Sequence, residues 1–252
     1  MKAIIVDLDR TLLRTDKSIS TYTLEILKKC HERGILVMAA SARPLRDLRT
    51  YVPILGLDAF TATNGAVIAL PSHKMEFGIR RESGERILSE LLRFPDVFLS
   101  VETSGGLYSN RDIPAWQPVI YDGFPRLPED VILYKILASS EHNSLYEKVE
   151  HILTDDVYHT VANHDLIQIM SIEATKWNGV RQMLSCFAVS PEDAAFFGDD
   201  NDDIEAIRKC GTGVAVSNAI PAVLEAADHI TLSNDLDGVA VFIEEYILKN
   251  AD

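Results

Sequence analysis

Asp7 and Asp9 stand one residue apart in Asp7-Leu8-Asp9-Arg10-Thr11-Leu12, directly after the apolar run Ala3 to Val6. A run this short and apolar reads as a buried first strand, and alternation along it would aim both carboxylates the same way. Like charges that close repel. A pair held in a partly buried place needs a cation or hydrogen-bond donors, which points to a metal site or a shared proton. Taken alone, the pair reads first as an exposed acidic turn. A second cluster, Gly198-Asp199-Asp200-Asn201-Asp202-Asp203, closes another apolar run, Ala194 to Phe197. Acids in a first helical turn are favoured by unpaired amides and the helix dipole, which covers half the case for Asp200, Asp202 and Asp203. Asp199 lies at the strand end instead, and with Asp7 and Asp9 it makes an all-oxygen set suited to a hard cation such as magnesium. Lys176, just after Thr175, would on its own be a solvated surface charge. Near the acidic cluster, its ammonium would balance the carboxylates and hold an incoming phosphate.

The elements that must position these groups follow from periodicity. After the first strand, a helix runs from a cap at Ser20 or Thr21 to Arg33 and stops at Gly34, with Leu24, Leu27 and Cys30 toward the core. Ile35 to Ala40 is a second strand ending at Ser41, and Pro44 opens a helix carrying Leu45, Leu48 and Val52. Ala59 to Thr63 is a third strand ending in the turn dipeptide Asn64-Gly65. Strand alternating with helix argues for a parallel sheet. From about Glu76 the pattern changes to helix 82–93, strand 97–101, a Gly105-Gly106 hairpin and a proline-rich aromatic loop 111–128. Strand 131–138, helix 141–153 and strands 157–161 and 166–172 complete a separate, mostly antiparallel sheet. The first pattern resumes at Thr175 with a helix to Phe187, a strand to Phe197, a helix carrying Ile204 and Ile207, strands 214–216 and 229–232, and a closing helix 236–248. The expected fold class is α/β, a doubly wound, Rossmann-like parallel-sheet core of residues 1–79 and 174–252 with an α+β domain, 80–173, inserted. Ligands of such sheets bind outside the carboxyl ends of the strands. Asp7, Ser41, Asn64 and Asp199 each fall at such an end, although Ser41 alone could cap a helix and Asn64 alone could turn the chain.

The 252 residues carry a formal net charge of -14 with a pI near 4.9. That balance argues against a nucleic-acid partner and an anionic membrane surface, while small phosphorylated ligands remain compatible with locally focused cations. Cys30, Cys186 and Cys210 are few, odd in number and far apart, which suits reduced structural thiols. Neither a signal peptide nor a membrane span is legible, so a cytoplasmic enzyme or binding protein is expected. Oligomeric state has no signature.

With these residues in place, the chain resembles the haloacid dehalogenase superfamily, in particular its Cof-type sugar-phosphate phosphatases with a type IIB cap. Asp7-Leu8-Asp9-Arg10-Thr11 resembles the first motif, Ser41-Ala42-Arg43 the second, Lys176 the third and Gly198-Asp199 through Asp203 the fourth. Asn64-Gly65-Ala66 and Ser217-Asn218-Ala219 also sit where such proteins place similar tripeptides. The resemblance covers both outer segments and is weaker across the middle. It implies a magnesium-dependent hydrolase of small phosphate monoesters. Asp7 would be the nucleophile that forms an aspartyl-phosphate, and Asp9 the acid and base. Asp7, the Asp9 carbonyl and Asp199 would hold Mg2+, while Ser41, Ala42 and Lys176 would bind phosphate. Asp203 and Asp202 would support them, and Arg10, Arg43 and Asn64 are candidate substrate contacts. Three positions depart from the pattern: Arg10 and Ala42 replace usual glycines, and Asp202 replaces a usual asparagine. A phosphomutase on the same scaffold and a phospho-aspartate signalling receiver are the alternatives.

Overall fold

The computed structural model describes residues 1–140, 144–162 and 165–249. Its first strand, β1 (Ala3–Val6), is buried along its whole length, as a continuous apolar run requires of a strand covered on both faces. Helix α1 (Thr21–Glu32) is capped by Ser20, whose side chain accepts from the Thr23 amide, and Gly34 beyond it takes φ 70°. Thr23, Ile26, Leu27 and Cys30 form its buried stripe, so Ile26 rather than Leu24 supplies the middle of the face. Strand β2 (Leu36–Ala40) leads into two short helices, α2 (Leu45–Leu48) and α3 (Val52–Leu55), where one was expected. Pro53 explains the break, because it cannot donate to the turn before it.

Strand β3 (Ala59–Ala62) is followed by a tight turn at Thr63–Gly65, then by β4 (Val67–Ala69) and β5 (Lys74–Glu76). A connection this short can join only antiparallel strands, and β4 does run antiparallel to β3. The sheet expected to be parallel therefore carries a reversed margin.

The inserted segment holds α4 (Arg81–Leu91), β6 (Phe98–Thr103), β7 (Gly106–Ser109), β8 (Val119–Ile120), β9 (Leu133–Ser139), α5 (Ser144–Ile152), β10 (Val157–Ala162) and β11 (Leu166–Ser171). The expected start of α5 at Glu141 lies outside the described residues. These strands make one sheet in the order β10-β11-β9-β6-β7-β8. Ile87, Leu88 and Leu91 of α4 and Leu145 and Val149 of α5 share one core with Leu99, Val101, Ile136, Ile167 and Ile169 of the sheet. The loop aromatics serve this packing: Tyr121 meets Tyr108 and Phe124 edge-on at 5.6 and 5.1 Å.

The chain then returns to the first unit through α6 (Lys176–Cys186), β12 (Ala194–Gly198), α7 (Ile204–Lys209), β13 (Thr212–Val216), α8 (Pro221–Ala226), β14 (His229–Thr231) and α9 (Gly238–Phe242). A π-helical stretch, Ile243–Leu248, extends α9, so the expected single helix is built from two winding types. The core sheet has the order β14-β13-β12-β1-β2-β3-β4-β5. Strands β14 through β3 are mutually parallel. Two compact units result, Met1–Met75 with Thr175–Asp252, and Glu76–Ala174. Their edges fall at 75/76 and 174/175. Cys30 and Cys210 are buried within the first unit, whereas Cys186 is exposed. Among the described residues, no helix is long and apolar enough to cross a membrane.

Candidate active site

Chain order departs from β1 in two directions, to β2 and β3 on one side and to β12, β13 and β14 on the other. The sheet therefore changes winding direction between β1 and β12, and the crevice outside that junction is where open α/β sheets bind ligands. Asp7 directly follows β1 and Asp199 directly follows β12. Both are buried, as are Asp203 and Lys176.

Lys176 is the centre of this floor. It is the first residue of α6, whose cap Thr175 accepts from the Asn178 amide, and only 3 % of it is exposed. Its Nζ lies 2.7 Å from Asp7 Oδ1, 2.6 Å from Asp203 Oδ1 and 3.2 Å from Asp202 Oδ1. Two glycines permit this approach. A Cβ on Gly65, at φ 100°, would stand 2.1 Å from the Thr175 carbonyl oxygen, so the turn after β3 can rest on the start of α6 only without a side chain. A Cβ on Gly198 would stand 2.5 Å from Asp203 Cβ. Asp203 in turn accepts from the amides of Asp199 and Asp200 through Oδ2, at 3.0 and 3.1 Å, closing a capping box with Asp200.

Charge on the floor is unbalanced. Burial pushes the Asp7 carboxyl well above its ordinary range against the pull of Lys176, and Asp203, Asp199 and Asp202 add to the rise. Asp199 is also raised, first by burial, although Thr11 Oγ1 donates to its Oδ1 at 2.7 Å. Asp203 is pushed up to about 6 by burial. Lys176 goes up as well, because Asp202, Asp203 and Asp7 outweigh the burial that would lower it. Carboxylate oxygens of Asp7, Asp199 and Asp203 lie within 4.8 Å of one another. The hydrogen bonds above engage both oxygens of Asp203 but one each of Asp7 and Asp199. Buried carboxylates that exceed the nearby positive charge, with oxygens still to spare on two of them, fit a hard divalent cation.

Asp9 belongs to a different environment. Strand β1 ends at Val6, so strand alternation does not govern residues 7 to 9, and the two carboxylates go to separate partners. Asp9 accepts from Arg43 Nε at 2.5 Å, from Arg43 Nη2 at 2.7 Å and from Lys17 Nζ at 2.6 Å. Burial would raise its pKa, but these hydrogen bonds and charges hold it below the usual carboxylate range. Arg43 also lies 5.0 Å over the Tyr51 ring.

Other candidates from the sequence take varied positions. Ser41 is buried after β2, its amide on the Thr61 carbonyl and its Oγ accepting from the Arg43 amide at 3.1 Å. Ala42 is exposed beside it. Asn64 donates Nδ2 to Asp202 Oδ2 at 2.5 Å, so it joins the Lys176 network through Asp202. Arg10 is exposed with φ 62°, a conformation that accounts for glycine being usual there. Sequence reasoning gave no role to Lys17, Thr11 or Asn218. Lys17 lies in an irregular stretch with no periodicity to place it, whereas Thr11 stands inside the first motif and was open to notice. Thr63, also at positive φ, keeps a buried hydroxyl without a hydrogen-bond partner among the described residues.

A buried lysine thus links acids from two strand ends at the switch point, near a further acid paired with two cations. The chain belongs to the haloacid dehalogenase-like hydrolases, whose sequence profile matches residues 4–243. It is 26% identical over 264 residues to the 5-amino-6-(5-phospho-D-ribitylamino)uracil phosphatase YitU of Bacillus subtilis, covering 96% of each chain. A haloacid dehalogenase-like hydrolase structure from B. subtilis superposes with a TM-score of 0.85 at 22% identity, over 98% of this chain and all of that one (100%). A subclass IIB sugar phosphatase structure gives a TM-score of 0.81 at 19% identity, over 98% and 99%. The α/β core expected from the sequence and the phosphatase-type hydrolase expected from the motifs agree with these findings.

Proposed function

We propose that the chain is a magnesium-dependent phosphatase that hydrolyses small phosphorylated metabolites, sugar or sugar-alcohol phosphates among them, through a phosphorylated Asp7. The observation that carries this reading is the Asp7 carboxylate itself: buried at the switch point, fixed through one oxygen by Lys176 and set beside Asp199. The name of the YitU relative, which specifies a phosphoribityl compound, supports the substrate class.

In the first half-reaction an Asp7 oxygen attacks phosphorus, forming the carboxyl–phosphate bond as the ester bond to the leaving alcohol breaks. Asp9 delivers a proton to that oxygen, so its contacts with Arg43 and Lys17 must loosen as substrate enters. In the second, ionised Asp9 takes a proton from the water that attacks phosphorus, and Asp7 is released with inorganic phosphate. The hold of Arg43 and Lys17 favours this ionised form. Lys176 gives up one carboxylate contact to reach a phosphoryl oxygen, and the Ser41 hydroxyl binds another. Asp7, the Asp9 carbonyl and Asp199 would hold Mg2+, which when bound screens the repulsion between nucleophile and phosphate. Asp203, with both oxygens committed, positions Lys176 and the Asp199 amide. The inserted unit, 80–173 in the sequence reading, is assigned to substrate selection.

The test is phosphate release from a panel of sugar phosphates, nucleotides and cofactor phosphates with magnesium, with chelator, and with Asp7→Asn. Release should require magnesium and vanish in the variant. Metal-independent turnover by Asp7→Asn would overturn the reading.

A further inference from the structure

Arg10 has no part in the chemistry above, yet the loop presents it at some cost. It lies at φ 62°, and Lys17, seven positions on in the same loop, lies at φ 69°, both in the left-handed region that side-chain-bearing residues avoid. Such conformations persist where surrounding structure over-determines them, and they gather at functional sites. Arg10 is over-determined: Asn218 Nδ2 donates to its carbonyl at 2.8 Å, while Asn218 Oδ1 accepts from the Asn234 amide at 2.9 Å. Asn234 Nδ2 in turn donates to the Leu13 carbonyl at 3.0 Å. The Arg10 side chain is exposed, and it directly follows Asp9 in the chain.

Lys17 and Arg43 approach the same mouth through Asp9, at 2.6 and 2.5 Å. Two cations contact this one carboxylate and a third, Arg10, directly follows it in the chain, in a protein whose net charge is -14. Of the three, Arg43 is the most enclosed, whereas Arg10 and half of the Lys17 side chain face solvent. The transferred phosphoryl group is served by buried residues, Lys176 and Ser41. Exposed cations at the rim are placed for something outside that pocket.

We propose that Arg10 and Lys17 form an anion-reading rim, and that the preferred substrate is a phosphate monoester carrying a second anionic group, a carboxylate or another phosphate, on its leaving-group side. The proposal rests on the phosphatase reading. Asp9 and the second anion compete for Lys17. Arg10 makes no such exchange and reports the second anion alone.

The experiment compares kcat/KM for glucose 6-phosphate, 6-phosphogluconate and glucose 1,6-bisphosphate with magnesium, in the native protein and in Arg10→Gln, Arg10→Gly and Arg10→Lys. Partly exposed ion pairs predict a preference of about five- to tenfold for the doubly anionic esters at low salt, shrinking toward unity in about 0.5 M salt. Arg10→Gln and Arg10→Gly should both lose most of that ratio, and Arg10→Lys should retain it. Arg10→Gly, free of backbone strain, guards against a folding artefact. Turnover with equal kcat/KM for all three esters, or a ratio untouched by Arg10→Gln, would overturn the rim and leave the phosphatase standing. Absence of phosphate release from every ester would overturn the phosphatase reading and the rim with it.

Discussion

Asp7 and Asp9 are two residues apart and have opposite electrostatics. On the floor, burial and neighbouring acids raise Asp7, and Lys176 is enclosed by carboxylates. At the rim, Asp9 is 36 % exposed in its side chain and lowered by Arg43 and Lys17. One carboxylate shares a single ammonium with other acids, and the other has two cations to itself. The lesson is that a short loop can push two like carboxyl groups apart in proton affinity by environment alone.

The largest test of that contrast is Asp7→Asn. If Asp7 is the nucleophile proposed above, phosphate release should fall by at least about a thousandfold. Because the amide removes one of several crowded buried carboxylates, the metal-free protein should melt no lower than the native one. A drop of several degrees in its melting temperature would mean that Asp7 stabilises the floor, contrary to the raised pKa.

Lys176→Met comes next, and it should destabilise the fold by about 3–5 kcal/mol, since it strands buried carboxylates without their ammonium. The sign of its pH dependence is distinctive. Carboxyls whose folded-state pKa is raised bind protons more readily folded than unfolded, so the deficit should shrink as pH falls from 7 toward about 5. Urea unfolding at several pH values measures this, and a deficit that grows on acidification would contradict the account of the floor.

At the rim the same logic gives a smaller number. Lys17→Gln removes one of the cations on a half-exposed acid, so its cost in stability should be below about 1 kcal/mol and should fade in salt. Its effect should fall on the pH profile of turnover, with the limb that reports Asp9 moving upward. An unmoved limb would detach Lys17 from Asp9 chemistry.

The floor was more legible in the sequence than the rim. The apolar runs before Asp7, Ser41, Asn64 and Asp199 placed those residues at strand ends, and parallel strands then brought the ends together. Long-range pairing was the limit. Nothing local to Asn64 announces Asp202, 138 positions away, and nothing near Thr11 announces Asp199, 188 positions away. The expectation that Asp7 and Asp9 would point alike assumed that the strand ran on to residue 9, but it ends at Val6. The reversed β4 was missed because the Asn64-Gly65 signal was read as a stop rather than as a hairpin-like return. The splitting of the helix after Pro44 traces to Pro53, which was visible and given too little weight.

The smallest effect bears on whether the rim is held under strain. Arg10 adopts φ 62°, where an L residue costs about 1–2 kcal/mol that glycine does not. Arg10→Ala and Arg10→Gly both remove the guanidinium, so the difference between them isolates the backbone. Glycine should be the more stable by about 1 kcal/mol, less the few tenths that its freer unfolded chain gives back. The Asn218→Ala background should narrow that gap, because the carbonyl of residue 10 then loses the donor that helps to hold the left-handed turn, and alanine can relax out of it. If alanine equals glycine in both backgrounds, the loop carries no strain at residue 10, and the rim would differ from the floor in charge alone rather than in charge and conformation together.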